Sequence, residues 1–376
     1  MPELNDHKSR AHALLSASSA HRWLSCPPSA VIAEKYPQQD TVFTREGTLA
    51  HEVAEQIVGG HTVDDTAPGV TQEMLDCAQA YADYISEQIK TEDAILMLER
   101  RVDFSPWVPN GFGTCDCIIL QGSAMDVIDY KYGQGVPVDA VENPQLRLYA
   151  LGALNDYGIL YDVKKVRMHI FQPRIGNISQ DSMTARQLLK WADKTVKPAA
   201  DKASAGEGEL SAGEHCRFCP HAGKCTALTQ TCMDFTEAHG LGRDDYTMDA
   251  VEVGDVLAMS SVIDLWLKRV RDTALSTMLD GGTIPGYKVV EGRGSRAWSD
   301  ELQVADTLRS AGYKNEAITE TTLLSVAKME KAIGKKRSEE LLSELIVRKP
   351  GSPTIAAETD KRPAYDRLAE AQNDFI

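Results

Sequence analysis

Three short segments rich in β-branched residues follow one another at 94–104, 111–120 and 125–131, each bounded by Gly, Pro or Asn. That texture predicts three successive strands. Helical spacing flanks them. In 48–58, Leu49, Val53 and Ile57 recur at i, i+4 and i+8 before Gly59-Gly60 ends the run, and 72–89 is a second helical pattern. After the strands, 144–157 returns to helical spacing, 165–172 reads as a fourth strand stopped by Pro173, and 184–203 as another helix. A chain that runs helix, three strands, helix, strand is committed to an α/β core. Upstream, Ser16 or Ser18 caps a short helix holding Trp23 and Leu24, stopped by Pro27-Pro28.

Length and charge narrow the class. The 376 residues suffice for one large domain or two ordinary ones. No run approaches the roughly 18 apolar residues that span a bilayer, and Glu3 and Asp6 precede the short apolar stretch 11–15, unlike a secretory leader. The expectation is a cytoplasmic protein with no membrane partner. A net charge of −15 argues against coating nucleic acid by bulk electrostatics, though not against a local groove. Arg100-Arg101, Lys164-Lys165-Arg167, Lys268-Arg269-Arg271 and Lys335-Lys336-Arg337 are local basic clusters, each by itself a solvated face. We expect a first domain over 1–240, a mainly helical C-terminal domain with a small hairpin over 241–348, and an extended tail over 349–376. In the second, Arg293, Arg296 and Trp298 form a basic–aromatic group suited to stacking on a single strand.

The chemistry concentrates at the end of the third predicted strand, MDVIDYKYG. Side chains alternate along a strand, so Asp129 and Lys131 share a face. An adjacent antiparallel strand, GTCDCII, can bring Asp116 beside Asp129. Two carboxylates at one spot repel unless a cation separates them, and Mg²⁺ prefers such oxygen ligands. A neighbouring lysine can orient water or stabilise developing negative charge. These parts suit phosphodiester hydrolysis. Glu99, on the preceding strand, is an acidic neighbour and not an expected ligand.

Eight cysteines are present, at 26, 77, 115, 117, 216, 219, 225 and 232. Cys216, Cys219 and Cys225 form C-x2-C-x5-C, a spacing suited to metal rather than disulfides. A fourth ligand could be His215, His221, Cys232 or the distant Cys26. Cys115 and Cys117 flank Asp116 and should pack on the opposite strand face, and Cys77 on its helix is likewise a packing residue.

Taken together, these motifs resemble the RecB-like branch of the PD-(D/E)xK nuclease superfamily. His51 in GTLAHE matches the helix-borne metal-binding His, and Asp116 the strand Asp. Asp129 and Lys131 match the D/E-x-K pair, and Gln145 and Tyr149 in QLRLYALG the Gln-x-x-x-Tyr motif. The family order and its α-β-β-β-α-β context are kept, although no Pro precedes Asp116, as is common in this branch. The resemblance implies a restriction-endonuclease-like mixed sheet flanked by helices. It also implies a Mg²⁺- or Mn²⁺-dependent DNA nuclease. His51, Asp116, Asp129 and the Tyr130 carbonyl would hold the ion, Lys131 would position water, and Gln145 and Tyr149 would brace the site. Some members, including the AddB subunit and the CRISPR adaptation nuclease, carry a [4Fe–4S] cluster on one upstream Cys and a downstream C-x2-C-x5-C. SASSAHRWLSCP resembles that upstream element. The resemblance therefore implies Cys26, Cys216, Cys219 and Cys225 as cluster ligands, with Zn²⁺ the alternative metal. It covers residues 15–232. No Walker A pattern accompanies it. The whole texture is similar to stand-alone phage and prophage nucleases that process DNA ends for recombination, often beside a single-strand annealing or binding protein. An oligomer is compatible with it, and so is a catalytically idle DNA-binding subunit on the same fold.

Overall fold

Five strands form one mixed sheet: β1 (Ile95–Asp103), β2 (Phe112–Gln121), β3 (Ala124–Tyr130), β4 (Lys165–Gln172) and β5 (Asn177–Thr184), in the order β1-β2-β3-β4-β5. The computed structural model describes residues 13–37, 41–240 and 248–289. Neighbouring strands are antiparallel except β3 and β4, which run parallel. A parallel step needs a crossover, and helix α5 (Pro144–Tyr157) supplies it. Asn143 caps this helix by accepting from the amides of Gln145 and Leu146, with Pro144 in the first turn.

Helices cover both faces. On one side pack α3 (Val42–Val58) and α4 (Gln72–Gln88), burying Ala50, Val53, Met74 and Tyr81 against Cys117, Ile119, Ile128 and Tyr130. On the other lie α1 (Ala20–Ser25), α2 (Ser29–Ala33), α5, α6 (Ala185–Trp191) and α7 (Lys197–Ala205), around Trp23, Leu146, Leu151, Val127 and Ile170.

Several elements differ from expectation for identifiable reasons. The third helix starts at Val42 rather than 48, because Thr41 caps it by accepting from the amide of Thr44. The single helix expected over 184–203 is interrupted by a π turn at Ala192–Val196. Pro198, in the first turn of α7, has no amide hydrogen to continue an α ladder. The edge strand β5 was not expected. Its sequence NISQDSMT lacks a β-branched run, and only the turn at Gly176, φ 64°, marks its start.

The chain divides into two units, Met1–Val290 and Glu291–Ile376. The first runs past the boundary expected at residue 240, because two further helices pack on the cysteine segment. They are α8 (Thr226–Gly240) and α9 (Ala250–Leu279), and Val262 of α9 is buried with Cys216, Cys225, Leu228 and Cys232. A Cβ at Gly223 would stand 2.0 Å from Thr273 Oγ1 and 2.4 Å from the Arg269 carbonyl, so glycine is what admits α9 there. The second unit lies outside the described residues. With it lie Arg293, Arg296, Trp298, the rest of the mainly helical domain expected up to 348, and the tail over 349–376. No described helix is long and apolar enough to cross a membrane.

Candidate active site

Pairing of β2 with β3 ends at Cys117 and Ile128. One residue further, Asp116 and Asp129 would face each other, but the strands part. The Tyr130 amide donates to Asp116 Oδ2 at 2.7 Å, so a side chain replaces the missing backbone partner. The result is a slot between β2 and the end of β3 with an aspartate on each lip.

The backbone is irregular at this point. Leu98 and Arg100 pair with Cys117 and Cys115, which puts Glu99 opposite Asp116, and Glu99 has a left-handed φ of 46°. A non-glycine residue held there in mid-strand stores strain, a feature concentrated at functional positions. Alternation fails with it. Cys115 packs in the core beside α5 and Cys117 in the core under α3 and α4, whereas residues two apart on a regular strand share a face. The two cysteines are buried as expected, but not on one common face.

On the α3 lip, His51 Nδ1 lies 3.5 Å from Asp116 Oδ1. The His51 ring stands edge-on to Tyr130 at 5.4 Å. His51, Glu99 and Asp116 each offer a ligand atom, all within 4.8 Å of one another, and they are the only such metal-suited trio among the described residues. Glu99, expected only as an acidic neighbour, is brought within reach of His51 and Asp116. Its place opposite Asp116 in antiparallel register is the sequence signal that could have found it. Asp129 stands apart from this trio.

On the α5 lip, Lys131 Nζ lies 2.8 Å from Asp129 Oδ2 and donates to Gln145 Oε1 at 3.2 Å. The Gln145 amide group donates to Asp129 Oδ1 at 3.2 Å and to the Tyr149 hydroxyl at 3.3 Å. The four predicted residues Asp129, Lys131, Gln145 and Tyr149 therefore form one connected group. The Tyr149 ring lies over Gly113, where a Cβ would be 2.7 Å from Cε1. Asp129 Oδ2 is buried and accepts no hydrogen bond of good geometry, despite the nearby lysine. The cation beside this buried oxygen is the Lys131 ammonium itself.

The electrostatics agree. Burial would lower the His51 pKa, but the charge and hydrogen bond of Asp116 raise it above its ordinary value. Burial would raise Asp116, yet His51 and then Lys131 bring it below the usual range. Asp129 is raised by burial, and the Asp116 charge adds to that against the pull of Lys131. Lys131 is pushed down by burial and up, by more, by Asp129 and Asp116. Glu99 is raised to about 7, by burial first and then by Asp116. Crowded, desolvated carboxylates of this kind mark functional sites.

The cysteine segment is separate. Cys26, Cys216, Cys219 and Cys225 line one pocket with His215 and His221. Cys232 does not line it and is fully buried in the apolar cluster with Val262. The segment is fastened to the N-terminal helices by Ser211 Oγ donating to the Ser25 carbonyl at 2.6 Å. Tyr36 OH also lies 2.7 Å from His221 Nδ1.

A family model described as "Protein of unknown function (DUF2800)" matches residues 12–363. Among solved structures, one described as "Crystal structure of SSO0001" matches at 16% identity and a TM-score of 0.27, covering 59% of this chain and 91% of that one. A likeness at that score adds nothing to the fold described above.

Proposed function

The chain belongs to the DUF2800 family, and within that family we propose that it is a divalent-metal-dependent DNA nuclease, an exonuclease that trims DNA ends for recombination or repair. The observation that carries this reading is the slot between β2 and β3. One lip holds the trio His51, Glu99 and Asp116, and the other holds the linked group Asp129, Lys131, Gln145 and Tyr149. The reading also rests on the resemblance of these motifs to the RecB-like PD-(D/E)xK nucleases and their restriction-endonuclease-like core.

His51, Glu99 and Asp116 would hold Mg²⁺ or Mn²⁺, with Asp129 and its partner Lys131 on the opposite lip. Such an ion supplies Lewis-acid polarisation of a phosphoryl oxygen and activates water at neutral pH. Lys131 stays protonated beside its two carboxylates, so it donates to the attacking water or to the oxygen that gains charge and does not act as a base. Gln145 fixes the Lys131 ammonium and the Asp129 carboxylate at once. Tyr149 holds Gln145 in turn.

The resemblance makes Cys26, Cys216, Cys219 and Cys225, which line one pocket, the ligands of a [4Fe–4S] cluster, with Zn²⁺ the alternative metal. Either would fasten Cys26 to the segment 190 residues downstream. The same reading puts the protein in the bacterial cytoplasm, acting on double- or single-stranded ends beside a single-strand annealing or binding protein.

The test is anaerobic purification followed by incubation with linear double- and single-stranded DNA and Mg²⁺ or Mn²⁺, with Lys131→Ala alongside. Cleavage by the wild type and not by the variant is expected, from brown protein. Equal cleavage by both would move the activity elsewhere. DNA binding without cleavage by either would favour the idle assembly subunit. Colourless protein with bound zinc would replace the cluster with the alternative metal.

A further inference from the structure

Helix α3 carries one inward stripe, Phe43, Gly47, Ala50 and Ala54, at spacings of four, three and four. Its second half is core, with Ala50 0% and Ala54 2% exposed. Its first half is largely uncovered among the described residues. Phe43 is 82% exposed, Val42 beside it 68%, and a Cβ built on Gly47 would find nothing within 4 Å. Glycine is among the weakest helix formers, and at Gly47 neither a close neighbour nor a left-handed φ calls for it. One turn on from Gly47, on the adjoining face of the helix, is His51 of the candidate ion site. The uncovered stripe is thus continuous with the catalytic slot.

We infer that these first two turns of α3 are the entry track for a single DNA strand. Phe43 stacks on a base, and Gly47 is the point where the sugar–phosphate chain passes against the helix backbone toward His51. This rests on the nuclease reading above. Stacking on an exposed ring is sequence-tolerant, because every base presents a π-face. Missing side-chain bulk lets a strand approach where a methyl group would hold it off.

The experiment uses the full-length protein. Gly47→Ala, Phe43→Ala, Phe43→Trp and Lys131→Ala are compared by thermal melting, by anisotropy of a fluorescent single-stranded oligonucleotide in EDTA, and by cleavage with Mn²⁺. Gly47→Ala is expected to melt higher than the wild type, since alanine favours the helix, and yet to bind and cleave less well. Phe43→Ala should lose about tenfold in oligonucleotide affinity, with Phe43→Trp restoring it. A merely structural role for Gly47 would move melting and leave binding alone. If Lys131→Ala abolishes cleavage while Gly47→Ala and Phe43→Ala bind and cleave as the wild type does, the track is wrong and the nuclease reading stands. If the wild type binds but never cleaves, and Gly47→Ala weakens binding, the track stands and the nuclease reading falls. Absence of any binding and cleavage by the wild type overturns both.

Discussion

Asp126 and Asp129 lie three residues apart on β3, on opposite faces of the sheet, and both are buried. Their surroundings could hardly differ more. Asp126 receives Arg167 through both carboxylate oxygens, at 2.5 Å each. It also receives Gln121 at 3.1 Å and has His169 Nε2 at 3.1 Å. His169 Nδ1 in turn meets the Tyr84 hydroxyl at 2.9 Å, and that hydroxyl accepts from Gln180. With Tyr84 donating to Nδ1, the histidine carries its proton on Nε2 and donates it to Asp126. Every group in that chain has a partner. Burial alone would raise Asp126, yet Arg167 and His169 hold it down at about 2. At the slot the balance is different. Asp129 Oδ2 has only the Lys131 ammonium, at 2.8 Å, Glu99 is pushed up to about 7, and Glu99 is held at a left-handed φ of 46°. A satisfied acidic network is part of the framework, whereas an unsatisfied one waits for something from solution.

Substitution should separate the two clusters. The largest effect is expected from Asp129→Asn or Asp116→Asn, each lowering cleavage by about 10³-fold or more while the fold holds. Loss of folded protein in place of lost rate would make these residues structural. Asp126→Ala should do the opposite. Leaving Arg167 and His169 without their carboxylate should cost about 3 kcal/mol in denaturant unfolding, with cleavage per folded molecule unchanged. A dead but stable Asp126→Ala would erase the distinction between the clusters.

Gly113→Ala tests how tightly the α5 lip is held. Its Cβ would lie 2.7 Å from the Tyr149 ring, which is backed by the buried face of α5. The ring must shift, at about 1–3 kcal/mol for overpacking, and the hydrogen bond that holds Gln145 shifts with it. Cleavage should fall about tenfold if Gln145 acts by fixing Lys131 and Asp129. Full activity with lowered stability would show that Tyr149 serves packing alone.

These particulars also mark what could be read from the sequence. The pattern placed β1, β2 and β3 within a residue or two, and α5 and β4 at their observed limits. It did so because the interior strands β2, β3 and β4 are largely buried and apolar, and α5 carries a buried apolar run from Leu148 to Leu154. The polar edge strand β5 is half exposed, so it lacked that signal, and α8 went unread. Period-two alternation paired Asp129 with Lys131 correctly. It failed at Cys115 and Cys117, which pack on opposite faces of β2 across from the left-handed Glu99 of β1. That reversal is a property of backbone dihedrals and leaves no trace in hydrophobic periodicity.

The smallest expected effect is the most direct comparison of the two clusters, because their pH dependences have opposite signs. Asp126 is depressed from 3.8 to about 2 in the folded protein. Between those values the unfolded chain binds more protons, so stability rises with pH there and is lost as pH falls toward 2. Glu99 is raised from 4.5 to about 7. Over that window the folded protein binds more protons, so metal-free stability declines as pH rises from about 4.5 to about 7. Urea unfolding in EDTA across pH 4 to 8 should show the decline in the wild type, and Glu99→Gln should reduce it, leaving the part contributed by His51 and Asp129, which are also raised. Adding Mn²⁺ should reverse the slope in the wild type, since an ion bound to the Glu99 carboxylate favours its charged form. A decline undiminished in Glu99→Gln would assign it to the other groups, and a slope indifferent to Mn²⁺ would remove Glu99 from the ligand set.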